Sequence, residues 1–108
     1  MQLRDIIPVS VFKALGDESR VSILLMLATT ERALTVTEIA KNMPIDVSVV
    51  SRHLKMMSEA GILRADRNGK QVHYTLRKEE LVSRLELLSD GLKNCCRDNE
   101  CNIVETRG

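Results

Sequence analysis

The three cysteines of this chain have the most specific chemistry in it, and all three lie within seven positions near the C-terminal end. They are Cys95, Cys96 and Cys101, in the run Cys-Cys-Arg-Asp-Asn-Glu-Cys. A structural zinc site uses four Cys or His ligands, whereas this segment supplies three sulfurs and no histidine. As(III) and Sb(III) form three bonds to sulfur and keep a lone pair in the fourth direction. We therefore predict a three-thiolate metal site with As(III) as effector and Sb(III) as an alternative.

Other interpretations of the cysteine cluster stay open. Soft ions such as Cd²⁺, Pb²⁺ and Hg²⁺ also accept thiolate ligands. Adjacent thiols beside Lys93 and Arg97 can instead oxidise, which would make the segment a redox switch. A free cysteine can also be no more than a small apolar residue, but the segment around these three is polar. This polarity favours a ligand cluster.

Positive charge is concentrated in the middle third of the chain. Residues 48–78 contain seven Lys or Arg against two Asp or Glu, which gives a net charge of +5. Residues 1–47 sum to −1 and residues 79–108 to −3, so the whole chain carries only +1. A local excess of this size is the electrostatic footprint expected of a surface that faces phosphate.

Helix signals occupy the segment before the basic region. Pro8 begins a short helix from Val9 to Leu15, and Asp17 caps a second helix. We assign the apolar face of this second helix to four residues: Val21, Leu24, Leu25 and Ala28. Thr35 with Glu38 three residues later is a capping-box pattern, and the helix that it begins ends before Pro44.

The basic segment is predicted to be a helix followed by a β-hairpin. Asp46 caps a helix over residues 47–60, in which Val50, Leu54 and Met57 recur at the spacing of a buried face. Gly61 suits the end of that helix. The dipeptide Asn68-Gly69 predicts a hairpin between extended segments 62–65 and 71–76. A last helix from Lys78 carries a leucine stripe, formed by Leu81, Leu85, Leu88 and Leu92.

Two helices joined by a tight turn and followed by a basic hairpin define a winged helix-turn-helix, in which the second helix reads the DNA major groove. Its exposed face would present Ser48, Ser51 and Arg52 to base edges and Lys55 to phosphate. The wing would offer Arg67 and Lys70 to the backbone or the minor groove. We interpret His53 as a hydrogen-bonded structural residue, and His73 as an exposed residue of the wing.

The whole sequence predicts one mostly α domain with a small β-hairpin, over residues 1–108. It has about five helices and a two-stranded wing, with a cysteine-bearing tail over about residues 95–108. No apolar run reaches the length of a membrane span, and the first residues do not resemble a signal peptide, so we expect a cytoplasmic protein without membrane contact. No catalytic triad, phosphate-binding glycine loop or paired carboxylates occur, and we expect no enzyme activity and no organic cofactor.

Three stretches of the sequence are similar to the ArsR/SmtB family of metal-responsive repressors. They are the segment from Phe12 to Leu24, the segment from Leu34 to Ala40, and the string Ser-Val-Val-Ser-Arg-His-Leu-Lys-Met-Met-Ser-Glu-Ala-Gly-Ile-Leu that begins at Ser48. The wing motifs Arg67-Asn-Gly-Lys and Tyr74-Thr-Leu add to the resemblance. Together the similarity covers about residues 9–92.

The resemblance implies a homodimer, formed through the first and last helices, that binds an imperfect inverted repeat in double-stranded DNA and leaves it when effector binds. The arsenic sensors of the familiar type carry Cys-Val-Cys where this chain has Thr35-Val36-Thr37. The zinc-type site would need histidines along the last helix, and residues 79–94 contain none. What remains resembles members with a C-terminal vicinal cysteine pair and a third cysteine. A DNA-binding module without a sensor, or a protein-interaction module, is the less favoured alternative.

Overall fold

A computed structural model of the chain describes residues 3–95, with side chains from Asp5 onward. These residues form six helices and three strands in the order expected of a winged helix-turn-helix. The elements are α1 (Leu3–Ile6), α2 (Val9–Ala14), α3 (Glu18–Thr29), β1 (Leu34–Thr35), α4 (Val36–Ala40), α5 (Val47–Glu59), β2 (Leu63–Asn68), β3 (Gln71–Leu76) and α6 (Lys78–Asn94).

The chain divides into two compact units. One unit is residues 10–78 and contains the helix-turn-helix and the wing. The other is made of the two ends of the chain, of which residues 3–9 and 79–95 are described. The expectation of a single domain over residues 1–108 therefore stays a prediction.

Local side-chain chemistry begins and ends the helices of the 10–78 unit. Asp17 caps α3, as predicted, by accepting hydrogen bonds from the backbone N–H groups of Ser19 at 2.8 Å and Arg20 at 3.2 Å. Thr35 and Glu38 form the predicted capping box of α4. The Thr35 hydroxyl accepts from the Glu38 N–H at 3.3 Å, and the Glu38 carboxylate accepts from the Thr35 N–H at 2.9 Å. These bonds satisfy N–H groups that a helix start leaves without partners.

The core of this unit is aliphatic, and α5 supplies its centre. Val50, Leu54 and Met57 are fully buried, which confirms the predicted inner face of α5. The remaining buried apolar residues come from every other element of the unit except β3: Val11, Ala14, Ile23, Leu27, Leu34, Ile39, Ile62 and Leu63. Leu54→Ala in such a site typically costs about 2–5 kcal/mol, so this face is what fixes α5 in the unit.

The prediction of which residues form the buried face of α3 is wrong. The residues buried on this helix are Ile23 and Leu27, whereas Leu25 is 56% exposed and Val21 is only half-buried. The run from residue 21 to residue 28 is apolar almost all the way round the helix, so periodicity does not define one face. Packing of α3 against α5 and β3 decides it instead.

The sheet has three antiparallel strands in the order β1-β3-β2, one more than the two-stranded wing that the sequence predicts. The short strand β1 pairs Leu34 with Tyr74 and Thr35 with His73, so β3 is the central strand. This pairing leaves His73 half-buried, and its predicted exposure is therefore wrong.

The wing itself is longer than predicted. Strand β2 reaches Asn68, which pairs with Gln71, so the turn consists of Gly69 and Lys70 alone. Gly69 has a φ of 68°, a left-handed conformation that glycine adopts without steric cost. The dipeptide Asn68-Gly69 therefore predicted the turn correctly, but the two turn residues lie one position later, at Gly69 and Lys70.

Helix α6 begins and ends close to the predicted bounds, and none of its residues is buried. The leucine stripe is half-buried at Leu81 and Leu88 and exposed at Leu85 and Leu92. In the described part of the chain, no helix is long and apolar enough to cross a membrane.

Candidate nucleic-acid interface

Helix α5 is amphipathic, and its polar side is open. It begins at Val47 after the N-cap residue Asp46, whose backbone carbonyl accepts from the N–H groups of Val49 and Val50 at 3.0 Å. The Asp46 side chain makes no cap hydrogen bond, in contrast to the expected side-chain cap. The side chains predicted to face DNA are all exposed on this helix: Ser48, Ser51, Arg52 and Lys55.

The end of α5 fixes where the wing begins. Gly61 has a φ of 82°, and its N–H donates to the Ser58 carbonyl while the N–H of Ile62 donates to that of Met57, both at 3.0 Å. These two bonds form a Schellman motif. Because the chain reverses there at a fixed angle, β2 leaves α5 in a defined direction.

The wing presents the other two predicted DNA contacts. Arg67 lies near the tip of β2 and Lys70 in the turn, and both are exposed. Arg64, three residues earlier on the same strand, forms a 3.3 Å ion pair with Asp66. Both partners of this pair are largely exposed, so it adds little to stability.

A groove of about 270 Å³ lies between α5 and the wing. Ser51 of α5 and Lys70 of the turn line the same groove, so two of the six predicted DNA contacts share one surface. Its other lining residues come from the start of α4 and from β3: Thr35, Val36, Thr37, Gln71, Val72 and Tyr74. The groove therefore offers hydroxyl, amide and ammonium groups on one surface, which suits a sugar-phosphate backbone.

His53 lies between the exposed Arg52 and the buried Leu54 and makes a structural contact, as predicted. It is half-buried, and the Arg20 Nη1 donates to its Nδ1 at 3.1 Å. Sequence reasoning missed Arg20 as the partner, because the two residues are 33 positions apart and no local pattern links them.

Two carboxylates near the helix starts have lowered pKa values. Hydrogen bonds from backbone N–H groups, that of Arg20 first, hold the pKa of Asp17 below its ordinary value. The Thr35 N–H, assisted by the charge of Arg32, does the same to the pKa of Glu38. Arg32 lies 3.2 Å from the Glu38 carboxylate. Both carboxylates are committed to capping.

The predicted cysteine site falls mostly outside the described residues. Cys96 and Cys101 lie there. Cys95 follows α6 directly, with its N–H bonded to the Leu92 carbonyl at 3.3 Å, and it is half-buried and disulfide-bonded. Within residues 3–95, no group of three His, Cys, Asp or Glu residues could hold a metal ion. Thr35, which stands where the arsenic sensors of the familiar type carry a cysteine, caps α4 instead.

The 10–78 unit has an aliphatic core, the short helix α4, the open helix α5 and a basic wing formed by β2 and β3. This arrangement defines a winged helix-turn-helix protein. The sequence profile described as "Bacterial regulatory protein, arsR family" matches residues 17–65. The chain is 32% identical to the HTH-type transcriptional regulator YbzH of Bacillus subtilis, with 72% of this chain and 90% of that protein covered. The chain therefore belongs to the arsR family of bacterial regulatory proteins, and this confirms the prediction of a regulator rather than an enzyme.

Relatives with named effectors are also similar. The chain is 35% identical to the arsenical resistance operon repressor of Escherichia coli K12, over 66% of this chain. It is 34% identical to the CadC homolog of Staphylococcus aureus, a cadmium resistance regulatory protein, over 70% of this chain. The chain spans about 60% of the length of the first of these and 62% of the second.

Solved structures show the same fold. An ArsR-like transcriptional regulator from Rhodococcus sp. RHA1 superposes with a TM-score of 0.71 at 22% identity, covering 94% of this chain and 92% of that chain. The homodimeric winged helix-turn-helix DNA-binding domain of Mb0332 from Mycobacterium bovis has a TM-score of 0.62 at 24% identity, covering 80% of this chain and 78% of that chain. These likenesses confirm the predicted fold class.

Proposed function

We propose that the protein is a homodimeric, cytoplasmic transcriptional repressor that binds an imperfect inverted repeat in double-stranded DNA and is released by As(III). The observation that carries the DNA-binding part is the exposure of all six predicted contacts on α5 and the wing of a single unit. Arg52 is suited to a forked bond with guanine, the two serines to base edges, and the three other cations to phosphates. The net charge of +5 over residues 48–78 supplies the attraction.

The proposed effector site consists of the thiolates of Cys95, Cys96 and Cys101 in the reduced protein. Its support is chemical, since these are the only thiols in the sequence and three sulfurs complete the bonding of As(III) or Sb(III). The naming of relatives after arsenic and after cadmium keeps Cd²⁺, and with it Pb²⁺ and Hg²⁺, as alternative ions. Ion binding would rearrange the end of α6 and thereby shift the two recognition helices of the dimer.

The dimer part of the proposal is supported by the surface of α6. This helix has a leucine stripe and no buried residue in the described chain, with Leu85, Leu87 and Leu92 all exposed. An exposed apolar helix face favours association with a second copy. Val11 of α2 is 1% exposed and belongs to the core, so it does not contribute to this interface.

The experiment is a fluorescence-anisotropy titration with a DNA duplex selected by the protein from a random inverted-repeat pool, under reducing conditions. Arsenite, antimonite, Zn²⁺, Cd²⁺ and Hg²⁺ are added in turn. We expect arsenite to lower DNA affinity about a hundredfold, equivalent to about 3 kcal/mol of coupling. Cys95→Ser, Cys96→Ser and Cys101→Ser should each bind DNA normally and lose the response. Ser22→Ala, at an exposed position of α3, is the matched control. A response kept by all three cysteine variants would place the effector site elsewhere.

Thiol oxidation is a second candidate signal, favoured by the disulfide of Cys95. In this case two thiols and one peroxide molecule would give one disulfide and two water molecules. Release of DNA by peroxide without any metal ion, reversed by a dithiol, would support it. Unchanged affinity in peroxide, with release by arsenite, would leave the metal-responsive function alone.

A further inference from the structure

The Arg20 side chain ties together three helices of the 10–78 unit. Its Nε donates to the carbonyl oxygen of Ala14 at the end of α2, and its Nη1 lies 3.1 Å from the Nδ1 of His53 on α5. Its own backbone N–H is held by the cap residue Asp17. One guanidinium therefore joins the end of α2 and the first turn of α3 to the recognition helix.

The contact defines the tautomer of His53. A guanidinium has only donor hydrogens and stays protonated in proteins, so the Nδ1 of His53 must be the acceptor. The neutral ring then carries its proton on Nε2. A protonated ring would have no lone pair for Arg20 and would place two positive charges about 3 Å apart.

The place of His53 on α5 makes the contact relevant to DNA binding. The preceding residue is Arg52, which is exposed on the DNA-facing side, and the following residue is Leu54, which is fully buried. A link at this position restrains the rotation of the turn that carries Arg52. Displacement of a base-reading group by about one ångström is enough to break a forked hydrogen bond.

We propose that Arg20 and His53 are a positioning pair for the recognition helix, and that the pair holds only while His53 is neutral. The proposal rests on the DNA binding proposed above. It predicts that DNA affinity falls when His53 is protonated.

The other charged groups around this pair do not replace the link. Asp17 is the acidic group that interacts with both Arg20 and His53, and its oxygen is occupied by helix N–H groups. On α5 itself, Arg52 and Lys55 flank His53 in sequence with positive charge. Among the elements packed against α5, Glu38 of α4 is paired with Arg32, and Arg64 and Asp66 of β2 are paired with each other. Lys13 of α2 and Glu59 of α5 lie beside the groove between these two helices. The remaining charged residues on these elements are Glu18 of α3 and Arg67 of β2, and both are exposed.

The sign of the predicted effect separates it from ordinary electrostatics. Histidine changes its charge between about pH 5 and pH 8. Added positive charge on a DNA-binding protein normally strengthens its attraction to phosphate. Loss of the Arg20–His53 bond acts in the opposite direction, because the recognition helix loses its restraint. A decrease of affinity on acidification is therefore the signature of the pair.

The experiment measures the affinity of the full chain for its selected duplex from about pH 8 to about pH 5 at constant ionic strength. We expect the affinity of the wild-type protein to fall about tenfold, the size of one charged hydrogen bond. His53→Leu should bind about tenfold more weakly at pH 8 and show no such fall. His53→Gln, whose amide oxygen can accept from Arg20 without titrating, should recover most of the affinity and remain flat. His73→Gln, which changes the other histidine of the chain, is the matched control and should keep the wild-type profile.

Long-range ¹⁵N–¹H NMR of His53 gives a readout that needs no DNA. We expect the Nε2–H tautomer in the wild-type chain and a mixture of tautomers in Arg20→Met. Affinity that rises or stays level on acidification in the wild-type chain, or a profile in His53→Gln that matches wild type, would overturn the positioning role while DNA binding itself stands. Failure of the chain to select any duplex would overturn the proposed function instead.

Discussion

Arg52 and Lys55 lie one turn apart on the open side of α5 and differ in what their charged groups recognise. Arg52→Ala should weaken DNA binding by about 1–3 kcal/mol and relax specificity at one base pair, because a forked guanidinium reads guanine. Lys55→Ala should weaken binding evenly across sequences and reduce the salt dependence by about one counterion. Affinities for a panel of single-base operator variants at several salt concentrations distinguish the two, with Lys13→Ala, exposed on α2, as control. Equal loss of specificity in both variants would contradict the assigned roles.

The side chain of Ser58 lowers the stability of the fold, and a substitution can remove this effect. In the described part of the chain its hydroxyl is the one buried side-chain oxygen or nitrogen without a hydrogen-bond partner. A buried polar group without a partner destabilises a fold by about 1–3 kcal/mol, so Ser58→Ala should raise the free energy of unfolding by about 1 kcal/mol. Urea denaturation measures this, and Ser51→Ala at an exposed site of the same helix should change stability by less than about 0.5 kcal/mol. A destabilised Ser58→Ala chain would mean that the hydroxyl is satisfied in solution.

At the scale of the elements, Thr35 belongs to both β1 and the start of α4. Thr35→Ala removes the acceptor for the Glu38 N–H and should cost about 1 kcal/mol of stability, typical of an N-cap. Thr35→Ser keeps the hydroxyl and should lose much less. Thermal unfolding of the three proteins gives the comparison, and equal losses in the two variants would show that packing of the threonine methyl group, not the cap, is what matters.

The two capping carboxylates give stability a dependence on pH. A carboxyl whose folded-state pKa is lowered stabilises the fold above its unfolded-state pKa, and this contribution is lost as the pH falls through the folded-state pKa. Asp17 and Glu38 are both in this class. We therefore expect the free energy of unfolding to decrease on acidification below the ordinary carboxylic range.

Asp17→Asn tests this dependence, because asparagine caps a helix without titrating. Its unfolding free energy should change less steeply in the same pH range, measured by urea denaturation at a series of pH values. Glu59→Gln, at an exposed position at the end of α5, should keep the wild-type slope. Parallel slopes for Asp17→Asn and the wild type would rule out the contribution of this cap.

Local signals determined how well each element could be predicted. The capping box, the glycine after α5 and the buried spacing on α5 involve residues no more than seven positions apart, and all three were confirmed. Strand β1 was missed because two residues give no alternation, and it exists only through its pairing with β3. The inner face of α3 and the Arg20–His53 contact depend on other elements, and no pattern along the chain specifies them.

At the scale of the whole molecule, α6 is where association can be tested. Leu85→Glu places a carboxylate on the leucine stripe at a residue that is 38% exposed in the single chain. Burial of an unpaired charge in an interface is costly, so we expect a monomer by analytical ultracentrifugation and at least about tenfold weaker binding to an inverted repeat. Glu86→Gln, at the neighbouring exposed position, should remain a dimer. A dimeric Leu85→Glu chain would place the association surface elsewhere.

The double role of Thr35 has a mechanical consequence. Its backbone is part of the sheet that carries the wing, and its side chain starts the helix that precedes the turn to α5. Thr35 thus connects the wing to the helix-turn-helix. Neither part can tilt alone without breaking either the strand pairing or the cap. We expect the 10–78 unit to respond to any signal as one rigid body. An effector would then change the spacing between the two units of a dimer rather than the shape of either.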